Sequence, residues 1–272
     1  TPLDTLQHMI MPVLTMALGT MASKIRYVRA NTIGQLSEEY VLASKAKGCT
    51  PAQILRKHVL KNTLLPIITI VYGSCMSLKQ RHFKLRLAYS TVSNLSYILF
   101  AAALMTTQAL AASFLHLIVH SVVKIMAFFT AGAVLHYAHR EYVPQLEGLG
   151  RYMPVTFACF TAAACALTGI PPFNGFVSKW YIARAAVDIG GWLPLVGFAA
   201  LLISALLTAV YMFQVVLKAW FPRTEAPAIP EGSAHEAGWM MTVPTAILAA
   251  ACLVMGLFPQ WLLDVIGKAV GL

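Results

Sequence analysis

Charge is scarce in this chain. Asp, Glu, Lys and Arg make up 11% of its 272 residues, where a soluble domain carries about 25%. With 58% hydrophobic residues and a mean hydropathy of +0.70, that scarcity excludes an ordinary water-soluble domain and defines an integral membrane protein. Acidic residues are the rarer sign, ten against twenty basic, leaving a net charge of +10. Such an excess suits nucleic acid in a soluble protein. Here, however, the basic residues cluster in short segments between apolar runs, which is the pattern that orients membrane proteins, so no nucleic-acid partner is expected. Cysteines are few: Cys49, Cys75, Cys159, Cys165 and Cys252 are scattered, odd in number and form no CxxC pair. Neither a disulfide framework nor a zinc site is supported, and reduced, packed thiols are expected. No charged leader or cleavage site precedes the first apolar run and residue 1 is Thr, which predicts that the start of a longer gene is missing.

Several apolar runs remain, separated by polar connectors. Met9 to Ser23 is uncharged and, with its flanks, long enough for a span. Lys24 to Lys61 is rich in Lys and Arg and reads as amphipathic helix outside the membrane. Asn62 to Leu78 carries no charge and reaches roughly 25 Å at about 1.5 Å per residue, just short of a ~30 Å hydrocarbon core. Leu87–Thr107, Ala111–Tyr137, Trp192–Leu217 and Trp239–Phe258 read as long apolar helices. Met153–Val187 is largely apolar but interrupted by Gly169-Ile170-Pro171-Pro172 and Asn174-Gly175. Phe221–Gly238 reads as a loop, and Gln260–Leu272 as a short amphipathic tail. The expected fold is an all-α, multi-span helical bundle with one proline-broken helix.

Sidedness exposes a conflict. If Lys79–Arg86 is cytoplasmic, then His139–Tyr152 and Lys218–Gly238 fall on the same side, because two spans separate each from the last. The N-terminal basic segment also belongs inside, yet only Asn62–Leu78 lies between it and Lys79. Either that run dips and returns, or the two parts of the chain were not shaped together.

The run EEYVLASKAKGCTPAQILRKHVLKNTLLPI, preceded by RYVRANTIGQLSEEY, resembles the cytoplasmic coupling loop of ABC-type peptide importer permeases; a generic amphipathic loop is the alternative. The resemblance covers about residues 1–76. It implies that a small-residue helix with Ala43 and Ala46, a turn at Gly48 and a second helix ending at Pro66 dock on a separate ATPase. Gly48 is free to take a positive φ at the turn, and Pro66 suits the first position of the next span. No G-x-x-x-x-G-K-[ST] stretch occurs, so the chain supplies no ATPase of its own.

From about Phe83 the stretches FKLRLAYSTVSNLSYI, LHLIVHSVVKIMAFFTAGAVLH and LTGIPPFNGFVSKWY resemble the antiporter-like membrane subunits of respiratory complex I and of multisubunit cation/proton antiporters, D-type subunits among them. This resemblance runs to the C-terminus. It implies a multi-pass proton-translocating subunit in a prokaryotic inner membrane, with other membrane subunits and the lipid bilayer as partners. No active site of its own and no cofactor is implied. The chain thus reads as a chimera with its seam in Gly73–Arg86: a permease-like unit over 1–78 and an antiporter-like unit over 79–272.

His116, His120 and Lys124 stand at i, i+4 and i+8, one polar stripe roughly 12 Å long on an otherwise apolar helix. Ionisable groups at such depth cost a few kcal/mol or more unless they face a cavity or partner. Imidazole accepts a proton on one nitrogen and releases one from the other, and desolvation lets an amine exchange its proton instead of keeping it. A proton path follows, with a structural hydrogen-bond ladder as the alternative. Metal binding by the histidine pair lacks a third ligand nearby in sequence, and no metal is expected. At the break, Pro171 and Pro172 remove two N–H donors and predict free carbonyls around Leu167 and Thr168; transporters build ion sites at such breaks. Lys179 follows by about two turns, where the antiporter resemblance implies the terminal proton-exchange residue. A lysine snorkelling from a kinked helix is the alternative. Lys84 and Arg86 read as topology-setting charges, with Lys84 a candidate proton inlet, and His136, His139, Arg184 and Asp188 as solvated.

Overall fold

The computed structural model describes residues 60–222 and 235–270. Met9–Ser23, the coupling-loop residues Ala43, Ala46 and Gly48, and most of the loop after Phe221 lie outside them. The described residues form eight α-helices and no strand: α1 Leu60–Lys79, α2 Phe83–Ala103, α3 Thr107–Ala138, α4 Pro154–Thr168, α5 Asn174–Ile189, α6 Trp192–Trp220, α7 Trp239–Leu257 and α8 Gln260–Val270. The protein is an all-α membrane bundle. By length and composition α3, α6 and α7 are apolar enough to cross a membrane.

The bundle has an apolar core threaded by buried hydroxyls and charges, and its outer faces are apolar too. On α1, Leu64, Leu65, Ile68 and Tyr72 are exposed while Ser74 and Ser77 are buried. On α2, Leu85 and Val92 are exposed while Arg86, Ser90, Ser93, Asn94 and Ser96 are buried. On α6, Leu202, Ile203, Leu206 and Val210 face out and Ser204 and Thr208 face in. In hydrocarbon the apolar face meets the lipid and hydroxyls must find partners within the bundle. α3 is the central helix: 67% of its most apolar window is buried, against 17% for α7. It packs against α2, α4, α5, α7 and α8, whereas α1 packs against α2 and α6.

Helix ends follow local chemistry. The Thr106 side chain accepts the Ala109 N–H at 3.2 Å to open α3, and His139 at φ 51° closes it. Pro154 begins α4, where a missing N–H costs nothing. Gly169 ends α4 at φ 91°, the left-handed region in which a Cβ is disfavoured, and Ile170 N–H bonds Cys165 O at 3.0 Å. The Pro171–Pro172 peptide is cis, and α5 starts at Asn174. The expected break is therefore present where the sequence puts it.

Asn62–Leu78 lies within one continuous helix of 20 residues, about 30 Å long, which fits the span read there and not the dip. One expectation changes. Pro66 does not open that helix but sits inside it: the turn before it is helical too, as neighbouring helices allow in a membrane.

The three basic connectors meet at one end of the bundle. Phe83 N–H bonds Glu141 O at 2.8 Å and Val143 N–H bonds Arg81 O at 2.8 Å. Gly148 N–H reaches Lys218 O at 3.0 Å, and Glu236 caps α4 through the N–H groups of Val155 at 2.7 Å and Thr156 at 3.3 Å. The shared side expected for Lys79–Arg86 and His139–Tyr152 is thus built into the fold, and Lys218 and Glu236, at the two described ends of the third connector, lie there too.

Candidate proton-transfer site

The break between α4 and α5 positions the first part of the site. With Pro171 and Pro172 unable to donate, the Leu167 and Thr168 carbonyls lack the usual helical continuation. The Lys179 ammonium takes them, donating to Leu167 O at 2.6 Å and Thr168 O at 3.2 Å. Lys179 is buried, so it does not snorkel to an interface. Its nitrogen stands over the Tyr97 ring at 5.4 Å from the centroid, within cation–π range.

The second part is the histidine column. His116 and His120 are both buried, with rings stacked at 6.1 Å and 28°, as one helical turn requires. His116 Nδ1 shares a hydrogen bond with Ser178 Oγ at 2.9 Å, and Ser178 in turn donates to Gly175 O at 3.2 Å. The column on α3 is thereby joined to the residue beside Lys179 on α5. Tyr97 meets His116 edge-on at 5.5 Å. The other His116 nitrogen, Nε2, is buried without a hydrogen-bond partner among the described residues, as is Asn174 Oδ1 at the start of α5. Buried acceptors of this kind call for water or a moving proton.

Lys124 is also buried, but its ammonium turns toward α2, donating to Leu87 O at 2.9 Å and Ser90 Oγ at 2.8 Å. The predicted residues therefore form two centres. His116, Ser178 and Lys179 gather at the break, and Lys124 lies two turns from His116 along α3, with His120 between. Lys84 is half-buried. His136, His139, Arg184 and Asp188 are exposed, with Arg184 and Asp188 paired at 3.5 Å.

Arg86, read from the sequence as a topology-setting charge, and two residues that it did not single out, Ser178 and Tyr97, complete the geometry. Arg86 is 4% exposed, not solvated at the loop. It donates to Gln80 O at 3.0 Å and 2.8 Å, to Tyr211 O at 3.0 Å and to Gln214 Oε1 at 2.8 Å. Ser178 and Tyr97 went unnoticed because hydroxyls on apolar helices carry no signal of their own. The usable signal was the PFNGFVSK spacing, which puts Ser178 beside Lys179.

Ionisable groups turned inward and a helix broken at membrane depth are features of membrane transport proteins as a class. The family described as NADH:quinone oxidoreductase/Mrp antiporter, TM, matches residues 57–208, more than half of the chain, and the chain belongs to it. A second family, the binding-protein-dependent transport system inner membrane component, matches residues 1–79. Among relatives, the chain is similar to the NADH-quinone oxidoreductase subunit N of Desulforudis audaxviator, 36% identical over 205 residues, covering 72% of this chain and 40% of that protein. It is similar also to the Na(+)/H(+) antiporter subunit A1 of Staphylococcus aureus, 32% identical over 221 residues, covering 72% of this chain and 27% of that protein. The chain thus spans less than half the length of these relatives. In structure it resembles a chain of the Mrp complex from Dietzia sp. DQ12-45-1b, with a TM-score of 0.71, 24% identity, and coverage of 79% of this chain and 47% of that one. That likeness concerns the fold.

Proposed function

We propose that residues 79–272 are the proton-conducting half of an antiporter-like subunit, working beside other membrane subunits of a complex I-type or multisubunit antiporter assembly in a prokaryotic plasma membrane. Protons move between Lys124 and Lys179 by way of His120 and His116. One observation carries the reading: Lys179 holds the open carbonyls of the helix break while its neighbour Ser178 hydrogen-bonds His116. An amine held by neutral carbonyls, not by a carboxylate, is free to give its proton up without breaking an ion pair. The imidazole column supplies a partner that accepts on one nitrogen and donates from the other. Lys84, near the basic end of the bundle, is the proposed inlet. The test is proton flux into vesicles containing the full chain and a pH-sensitive dye. Lys124→Ala should remove flux, and unchanged flux removes the proposal.

For the N-terminal part the second family match favours a different reading: residues 38–66 bind an ABC ATPase, with Ala43, Ala46 and Gly48 at the contact. Co-purification of such an ATPase, abolished by Gly48→Trp, is the expected result; none with the unmutated chain counts against it. The boundary proposed between the parts, near residue 79, is supported by the end of that family match; the antiporter family match begins earlier, at 57. If neither flux nor ATPase binding is found, the chain is an inactive chimera of two incomplete units.

A further inference from the structure

Three helices bring hydroxyls into the core at matching heights. α1 carries Ser74 and Ser77, α2 carries Ser90 and Ser93, and α6 carries Ser204 and Thr208, all buried. They sort into two tiers, each with one residue from each helix and each gathered around a tyrosine hydroxyl. In the first tier Tyr211 OH donates to Thr208 Oγ1 at 3.1 Å, with the Ser90 and Ser77 hydroxyls beside it. In the second, Tyr97 OH donates to Ser204 Oγ at 2.6 Å, with the Ser93 hydroxyl beside it. Ser74, Ser93 and Ser204 close a triangle with oxygen separations of 2.9, 2.5 and 3.0 Å. Within that triangle either partner of each pair can be the donor, and the Ile70 carbonyl offers a further acceptor to Ser74 and Ser93. More than one arrangement of the protons therefore satisfies the tier. Gly73 makes the tier possible: a Cβ there would stand 2.9 Å from Ser93 N, so only glycine lets α1 approach closely enough for Ser74 to enter.

The tiers are tied to the two amines. Ser90 accepts from Lys124 at 2.8 Å, and the Tyr97 ring lies beneath Lys179. We infer that the tyrosine–serine tiers form a second proton route between Lys124 and Lys179, parallel to the histidine column and partly built by α1. This rests on the proton-transfer reading above and adds to it residues which that reading does not use. In one passage an N–H bond of the Lys124 ammonium breaks as its proton goes to Ser90 Oγ. Ser90 releases its own proton to Tyr211, and the exchange continues through Thr208. One bridging water crosses the turn of about 5 Å to Ser204. The Tyr97 hydroxyl hydrogen, turned away from Ser204, then forms the new N–H bond on the neutral Lys179 amine, whose flexible stem swings it from the carbonyls to the phenol edge, while Ser204 passes its own hydrogen to the Tyr97 oxygen. Each hydroxyl ends with one hydrogen, reoriented, and the net change is one N–H broken at Lys124 and one formed at Lys179.

The test compares initial proton flux in vesicles holding the full chain with Tyr97→Phe, Ser204→Ala, Ser204→Thr and Lys179→Ala. Tyr97→Phe keeps the ring and removes only the oxygen. The expected result, in a His120→Leu background that cuts the histidine column, is a further fall of tenfold or more in the remaining flux for Tyr97→Phe and Ser204→Ala, at unchanged melting temperature, with recovery in Ser204→Thr, which restores the hydroxyl. Tyr97→Phe flux within twofold of that background, while Lys179→Ala abolishes flux, overturns the second route and leaves the histidine route standing. Flux indifferent to Lys179→Ala overturns both. If the unmutated chain conducts nothing, or a variant does not fold, infrared spectroscopy of the unmutated chain in D2O decides. Prompt exchange of the Tyr97 and Tyr211 phenol hydrogens upholds a wet route, and phenols that stay protiated for hours overturn it.

Discussion

Replacing Arg86 by Met should loosen the bundle by an amount that the geometry sets. The guanidinium clamps the short connector between α1 and α2 to α6 through four charge-assisted hydrogen bonds. Met fills a similar length of channel but donates none of them. The Tyr211 carbonyl keeps its helical N–H, and Gln214 is exposed enough to find water, so both relax cheaply. The Gln80 carbonyl loses two bonds and is half-buried, at a cost of about 1–3 kcal/mol. Releasing the dehydrated charge returns part of what the lost bonds gave. The net loss is about 1–2 kcal/mol, which lowers the melting temperature by roughly 2–8 °C. Arg86→Lys should recover less than half of it, because one ammonium cannot reach Gln80 and α6 together as a planar fork does. Thermal unfolding in detergent, followed by circular dichroism, measures both variants. Melting of Arg86→Met within about 2 °C of the unmutated chain refutes the clamp.

Other consequences are testable in the same preparations. Glu236 reaches back across the sequence to cap α4, so Glu236→Ala should cost about 1–2 kcal/mol, as loss of an N-terminal cap does, and Glu236→Gln less. Equal melting of all three proteins contradicts the cap. The continuous α1 helix predicts that Cys49 and a Gln80→Cys thiol, in a chain without the other cysteines, label from opposite membrane faces. Labelling from one face contradicts a crossing by α1.

The helix break could be read from the sequence to the level of single atoms. Pro171 and Pro172 predicted unpaired carbonyls at Leu167 and Thr168, and those are the two that Lys179 binds. The inference worked because the missing donors and the free acceptors lie within one short stretch. The His116–His120 stack was legible for the same reason, since i,i+4 spacing on one helix fixes it. Arg86 was not. Basic residues at a helix end usually face water, and what buries this one is the Tyr211 carbonyl and Gln214, over a hundred residues away. The hydroxyl tiers were hidden likewise. Ser74 and Ser77, Ser90 and Ser93, and Ser204 and Thr208 recur at one-turn spacing on three separate helices, but only packing sets them at the same heights. Pro66 misled because the rule for a first helical turn was applied where the membrane lets a helix run on through proline.

The central claim is that the amine at the helix break handles the transported proton. Initial proton flux through vesicles containing the chain with Lys179→Met, compared with the unmutated chain, tests it most directly. The structure predicts that flux falls to that of empty vesicles while the helical content stays the same. Flux equal to that of the unmutated chain would contradict it.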